Sequence, residues 1–144
     1  MNNTVHKKKV LFLCAHNSTR SQMAEGFLRT LYGERFDAYS AGTHPSRVHP
    51  YAIRVMKEEG IDLSTQRSQS IDNFLGFKYD YVITLCDNAQ ETCPFFPDGE
   101  KYIHKSFEDP ARGEGTEEEK LALFRRIRND IKEWIHKTFE NDNA

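Results

Sequence analysis

A chain of 144 residues with 38% hydrophobic and 29% charged side chains has the size of one domain with a core of its own. Its net charge of -2 gives no electrostatic ground for a nucleic-acid or anionic-membrane partner, and no apolar stretch reaches the ~20 residues that span a bilayer. The basic Lys7-Lys8-Lys9 reads as a solvated strand entrance with no long apolar region behind it, so no signal peptide and a cytoplasmic address are expected. In a reducing compartment the three cysteines are expected to be catalytic or redox-active rather than structural staples.

Residues 10–13 (Val-Leu-Phe-Leu) are apolar without alternation, the pattern of a strand buried on both faces of a parallel sheet. Residues 21–32 follow as a helix, with Met23, Ala24, Phe27, Leu28 and Leu31 at helical spacing and Gly33 as its stop. Residues 36–40 read as a second strand. Residues 48–59 read as a second helix, with Ala52, Ile53 and Met56 inward and Gly60 ending it. Strands at 79–85 and 101–104 come next. The last helix covers 116–138, with Thr116 as N-cap, Glu117, Glu118 and Glu119 in the first turn, and a stripe of Leu121, Phe124, Ile127, Ile131, Trp134 and Ile135. Trp134 is expected to be a packing anchor, and Phe27, Phe74, Phe77 and Phe124 to sit in or near the core. Nothing divides the chain, so 1–144 is expected as a single α/β domain with 1–6 and 140–144 frayed. Its architecture is three layers, a small four-stranded parallel sheet flanked by helices.

The chemistry concentrates in Cys14-Ala15-His16-Asn17-Ser18-Thr19-Arg20-Ser21, which joins the first strand to the first helix. A strand ending in a loop that opens a helix is an anion site, because loop N–H groups and the positive helix end converge on one point. The same field favours thiolate over thiol at Cys14. Arg20 adds a planar fork that matches two oxygens of a tetrahedral anion. The loop therefore reads as a nucleophilic cysteine aimed at a phosphate-like oxyanion held by Ala15, His16, Asn17, Ser18, Thr19 and Arg20. In a parallel sheet such a ligand lies at the carboxyl ends of the strands, where Cys14 falls.

Cys86 ends the third strand at the same sheet edge, so a disulfide with Cys14 is feasible. Cys93 follows seven residues later; if that stretch is helical the two lie roughly 10.5 Å apart in rise, too far for a bond. A Cys86–Cys93 disulfide thus requires the segment to unwind, and the turn chemistry of Pro94-Phe95-Phe96-Pro97-Asp98-Gly99 permits it. A mobile redox segment over 86–99 is expected, looped out when oxidised and partly helical when reduced. Taken alone, Cys86 could equally be an inert buried thiol. Cys-x6-Cys is not zinc-ligand spacing, His44, His49, His104 and His136 show none either, and no Walker-type loop is present.

With Val-Leu-Phe-Leu-Cys-Ala-His-Asn-Ser-Thr-Arg-Ser-Gln-Met-Ala-Glu-Gly, Ser40-Ala41-Gly42-Thr43, Cys86-x6-Cys93-Pro94 and Asp109-Pro110, the chain resembles the low-molecular-weight tyrosine phosphatase superfamily over 9–137. Within it, the three cysteines resemble those of thioredoxin-coupled arsenate reductases. The resemblance implies that Cys14 attacks arsenate held by the loop and Arg20, with Ser21 bonding the thiolate, Asn17 shaping the loop and Asp109 protonating the departing oxygen. Cys86 then attacks Cys14 as arsenite leaves, and Cys93 attacks Cys86, leaving Cys86–Cys93 for thioredoxin. Phosphate and sulfate are expected as look-alike anions. The sulfurs supply the electrons, so no cofactor is implied. Some of these reductases hold potassium near the loop, and Asn17, Glu25 and Ser40 match part of that site. Its remaining positions fall on Arg67 and Gln69, where a guanidinium discourages a cation, so no metal is expected and Arg67 is expected to replace the ion's charge. His16 stands where many phosphatases have glycine, and is read as a substrate-edge contact or a loop-packing residue.

The rival activity is hydrolysis of phosphate monoesters through a phospho-cysteine. Against it, Ala111-Arg112-Gly113 follow Asp109-Pro110 where aromatic residues typically wall the phenol pocket of such phosphatases. A non-catalytic oxyanion-binding module needs neither Asp109 nor the cysteine relay. A reductase coupled to glutaredoxin or a small thiol has less use for Cys93. A monomer is expected.

Overall fold

The computed structural model describes residues 7–87 and 94–142. Strands β1 (Lys8–Leu13), β2 (Phe36–Ala41), β3 (Tyr79–Thr84) and β4 (Gly99–His104) form one parallel sheet in the order β2-β1-β3-β4. Helices α1 (Arg20–Tyr32), α2 (Pro50–Lys57) and α3 (Glu117–Phe139) supply the rest of the regular framework. Parallel neighbours need long crossovers, and the α1 connection returns the chain from β1 to β2. The α/β class and the four parallel strands are those expected from the sequence.

The sheet is covered on both faces, which explains the unbroken apolar run in β1. Val10 and Phe12 pack with Met23, Phe27, Ile131, Ile135 and Phe139 from the helices. Leu11 and Leu13 join Ala41, Phe74, Val82 and Phe96 on the opposite face, where a 3-10 turn, Ile71–Phe74, closes the layer. All four of these β1 side chains are fully buried, each contributing about 1.5–3 kcal/mol of transfer free energy. Trp134 packs edge-on against Phe107 and Phe139, the anchor role expected of it.

Local rules fix the boundaries. In α3, Thr116 accepts from the Glu119 N–H while the Glu119 carboxylate accepts from the Thr116 N–H, a closed capping box. The second helix starts at Pro50 rather than at residue 48. A proline at the first helical position forces the residue before it out of the helical region, and His49 is accordingly extended, its ring Nδ1 accepting from the Tyr51 N–H. It also ends at Lys57, with Val55 rather than Ile53 fully buried. Leu31, at 39% exposure, and Phe77, at 58%, lie outside the core that their apolar character suggested. The chain end is not frayed through residue 142. Asp142 accepts from Lys8 Nζ at 3.0 Å and from the Tyr81 hydroxyl, and its carbonyl accepts from Arg35. Residues 1–6 and 143–144 lie outside the described residues, as does the stretch 88–93 that holds Cys93.

Candidate active site

The loop from Cys14 to Thr19 leaves β1 at its carboxyl end and enters α1 at Arg20, one residue earlier than the periodicity indicates. Its shape is held by Asn17, a fully buried residue with φ of 47°. Asparagine tolerates this left-handed conformation better than most residues do, because its short amide can bond locally. Here the amide bonds twice: Nδ2 donates to Ser21 Oγ at 2.8 Å, and Oδ1 accepts from the Gln69 N–H at 2.8 Å. Gln22 Nε2 adds bonds to the Asn17 carbonyl at 3.0 Å and to the Arg67 carbonyl at 2.9 Å. Gly42 closes on the loop from β2, and any Cβ there would stand 2.5 Å from the Ala15 carbonyl oxygen and 2.7 Å from that of Cys14. Only glycine permits that approach.

Cys14 is a free thiol, 2% exposed, with Sγ 3.0 Å from Ser21 Oγ. Toward a Cys14 thiolate, which can only accept, the Ser21 hydroxyl is the donor, while its oxygen accepts from Asn17. Arg20 is also buried; Nη1 donates to the Phe107 carbonyl at 3.1 Å and Nη2 lies 3.7 Å from Asp109 Oδ2. The other Asp109 oxygen accepts from the Ala111 N–H at 3.0 Å, capping the 3-10 turn Pro110–Arg112. A cavity of about 200 Å³ is lined by Cys14, His16, Ser18, Thr19, Arg20, Ser46, Asp109 and Ala111. Among the described residues, no Phe, Tyr or Trp lines it. The Thr19 hydroxyl in its wall is buried with no hydrogen-bond partner among the described residues. His16 stands exposed at the rim, its Nδ1 3.1 Å from the His44 carbonyl oxygen. The fold brings Cys14, Arg20 and Asp109 to one cavity, with Ser21 against the Cys14 sulfur.

Cys86 follows β3 by two residues and is fully buried. Since Leu13 pairs with Thr84 and the Leu85 N–H bonds the Leu13 carbonyl at 2.9 Å, Cys14 and Cys86 leave neighbouring strands one residue out of step. Cys86 is disulfide-bonded, whereas Cys14 is not. Cys93 and the expected unwinding of its segment lie outside the described residues.

A low molecular weight phosphotyrosine protein phosphatase model matches residues 9–142. The chain belongs to that family. Among family members it is 49% identical to an arsenate reductase of Halalkalibacterium halodurans over 135 residues, 94% of this chain and 96% of that protein. A solved arsenate reductase in its phosphate-binding state superposes with a TM-score of 0.77 at 41% identity, over 90% of this chain and 95% of the other. A thioredoxin-dependent arsenate reductase of Corynebacterium glutamicum is 26% identical with a TM-score of 0.59, over 92% of this chain and 63% of that one.

Several members of this family site are invisible to motif reading. His49, passed over as one scattered histidine, bonds the Ser18 carbonyl through its N–H at 3.0 Å. Burial and the neighbouring Arg47 push its imidazole below the ordinary range, while Asp109 pulls it up. Ser68 braces the loop through the His16 carbonyl at 2.9 Å. The Glu25 carboxyl, pushed up by burial, accepts from Ser40 Oγ at 2.5 Å and faces Arg29 Nη1 at 3.4 Å. The cation at Glu25 is thus Arg29 rather than Arg67, whose side chain is exposed because the chain turns its carbonyl inward to Gln22. Arg29 and Ser40 both serve the Glu25 carboxylate.

Proposed function

We propose that the chain is an arsenate reductase that works through Cys14, Cys86 and Cys93 and is regenerated by thioredoxin. The observation that carries this reading is the second cysteine: a fully buried Cys86 one strand away from Cys14, at the same sheet edge and already in a disulfide. A phosphatase has no use for a redox-active sulfur there. Its similarity to arsenate reductases along nearly the whole chain supports the same reading.

The proposed chemistry uses this geometry. The Cys14 thiolate attacks arsenic while the loop N–H groups, Arg20 and the spare Thr19 hydroxyl hold the oxygens. Ser21 donates to the sulfur before attack. Asp109, beside Arg20 at the cavity wall, protonates the departing oxygen, which leaves as water. The Cys86 thiolate then attacks Cys14 sulfur; the sulfur–arsenic bond breaks and its electron pair departs on arsenic as arsenite. Attack by Cys93 on Cys86 frees the Cys14 thiolate, and two electrons from a dithiol reductant restore the pair. A free Cys14 beside a disulfide-bonded Cys86 is the condition in which such a relay comes to rest.

The cavity favours arsenate over an aryl phosphate. At about 200 Å³ it is smaller than the roughly 300–1,000 Å³ of sites that enclose drug-sized ligands, and Ala111 supplies no ring wall. Slow hydrolysis of small aryl phosphates is expected, since the same loop and acid serve both reactions. The test is arsenate-dependent NADPH oxidation with thioredoxin and thioredoxin reductase, run beside Cys93→Ser. Wild type should turn over and the variant stop after about one equivalent. A wild type that ignores arsenate yet cleaves aryl phosphates overturns the reading in favour of a phosphatase.

A further inference from the structure

Immediately after the redox cysteines, the chain alternates strictly between inside and outside. Pro94 and Phe96 are buried, while Phe95 and Pro97 face solvent. Phe96 is locked against Tyr79, ring centroids 5.5 Å apart at 75°. Its burial drives Phe95 outward, where it is 78% exposed, the most exposed large hydrophobic side chain among the described residues. Phe95 is not loose there: it stacks on Tyr102 with centroids 6.4 Å apart and rings 10° from parallel. Tyr102, itself 51% exposed, is pinned in turn by the Gly99 N–H, which donates to its hydroxyl at 2.9 Å. Tyr102 belongs to β4, an edge strand of the sheet.

A large apolar surface held out in water signals an interaction site rather than a core position. Aromatic side chains held in place before association lose little freedom on binding, which is why they dominate protein interfaces. Phe95 stands two residues after Cys93 in the sequence, on the chain that continues from the disulfide-bonded Cys86. We infer that the stacked Phe95–Tyr102 pair is the docking platform for the protein dithiol that reduces this disulfide, a reductant of the thioredoxin class. The inference rests on the relay proposed above.

The occupant follows from position. A thiolate of the docked protein attacks one sulfur of the disulfide, forming a mixed disulfide and releasing the other as a thiolate. Its second thiolate resolves the mixed bond, so the partner leaves oxidised and this chain regains two thiols, with protons from solvent. A rigid aromatic shelf two residues along the chain from Cys93 holds the partner through both exchanges. A small thiol, which meets only the sulfur, gains nothing from the shelf.

The test separates the two kinds of reductant. Oxidised wild type, Phe95→Ala and Phe95→Leu are reduced by thioredoxin, or by dithiothreitol, and newly formed thiols are counted with time. Phe95→Ala should raise the thioredoxin KM about tenfold, the loss typical of an interface anchor, with the dithiothreitol rate unchanged and Phe95→Leu in between. Equal slowing with both reductants, or no change with thioredoxin, overturns the inference, as does a wild type that thioredoxin cannot reduce. A shift in oligomeric state on sedimentation with an unchanged thioredoxin KM instead assigns the platform to a second copy of the chain. The assay contains no arsenate, so failure of the arsenate reductase reading shows separately, as loss of arsenate-dependent turnover with either reductant.

Discussion

Replacing Ser21 by alanine probes the wiring of the nucleophile. Asn17 Nδ2 donates to Ser21 Oγ at 2.8 Å, and Ser21 Oγ lies 3.0 Å from Cys14 Sγ, where the hydroxyl is the donor once the sulfur is a thiolate. Ser21→Ala deletes a bond to what becomes a charged sulfur, a contribution of about 1.5–3 kcal/mol. At about 1.4 kcal/mol per factor of ten, kcat/KM falls roughly 10- to 100-fold. The substitution also strands the Asn17 amide, fully buried, without its acceptor, lowering folding stability by about 1–3 kcal/mol. Both arsenate reduction and aryl phosphate hydrolysis should slow together, because the thiolate is common to them. Urea denaturation gives the stability change separately. In a double-mutant cycle with Asn17→Ala the two stability losses should add to more than the double variant shows, since they share one bond. Rates within about threefold of wild type, alongside the expected loss of stability, would refute the donor role and leave the hydroxyl a structural pin.

Three further outcomes are expected. Gly42→Ala places a methyl group 2.5–2.9 Å from backbone atoms of Ala15, Cys14 and Asn17; moving the loop by as little as 1 Å should cost about 100-fold in turnover, measured beside a circular dichroism spectrum that stays native. Asp109→Asn keeps an acceptor for the Ala111 N–H, so the turn should persist while kcat drops about 10²- to 10⁴-fold and crystallography shows the loop unmoved. His49 titrates below its ordinary range in the folded chain, so the unfolded chain binds more protons as pH falls through about 6.5, and stability declines on that acid side. His49→Gln should remove that slope between pH 7.5 and 5.5, and parallel denaturation profiles for the two proteins would contradict it.

Much of the framework is legible because it rests on local physics. An apolar run without alternation can only be a strand covered twice, and Val10 to Leu13 are covered by helices on one side and by Phe74 and Phe96 on the other. The Thr116–Glu119 capping box works within a single turn, so its residues announce it. The errors arise where a single local restraint or a distant neighbour outweighs periodicity. Pro50 overrides the apolar pattern from Val48 and sets the start of α2. Leu31 and Phe77 are apolar, yet no described element fully covers them. The anchoring of Asp142 by Lys8, Arg35 and Tyr81 joins positions up to 134 residues apart, a separation no window can see. The same holds at the site, where Cys14, Arg20 and Ser21 are read directly, but Gln69 and Ser68 reach the loop from 52 residues away.

In the proposed relay, burial gives a reason for a third sulfur. Cys14 is 2% exposed and lines a cavity of about 200 Å³, and Cys86 is not exposed at all. These are the conditions that favour the first two steps: an oxyanion held away from water, and a second sulfur that bulk thiols cannot intercept. They are also conditions under which a folded reductant cannot bring its own sulfur to either atom, since in-line attack on a disulfide requires close approach. A disulfide between those two cysteines would trap the enzyme after one turnover. Exchange onto Cys93 resolves this only if that position opens toward solvent, and the chain reaches the surface two residues later, where Phe95 is 78% exposed. The Cys93→Ser variant should therefore accumulate a Cys14–Cys86 disulfide that reacts with dithiothreitol far more slowly than oxidised wild type does. Equal reduction rates for the two would show that burial does not protect the inner sulfurs, and would remove the physical reason for the third cysteine.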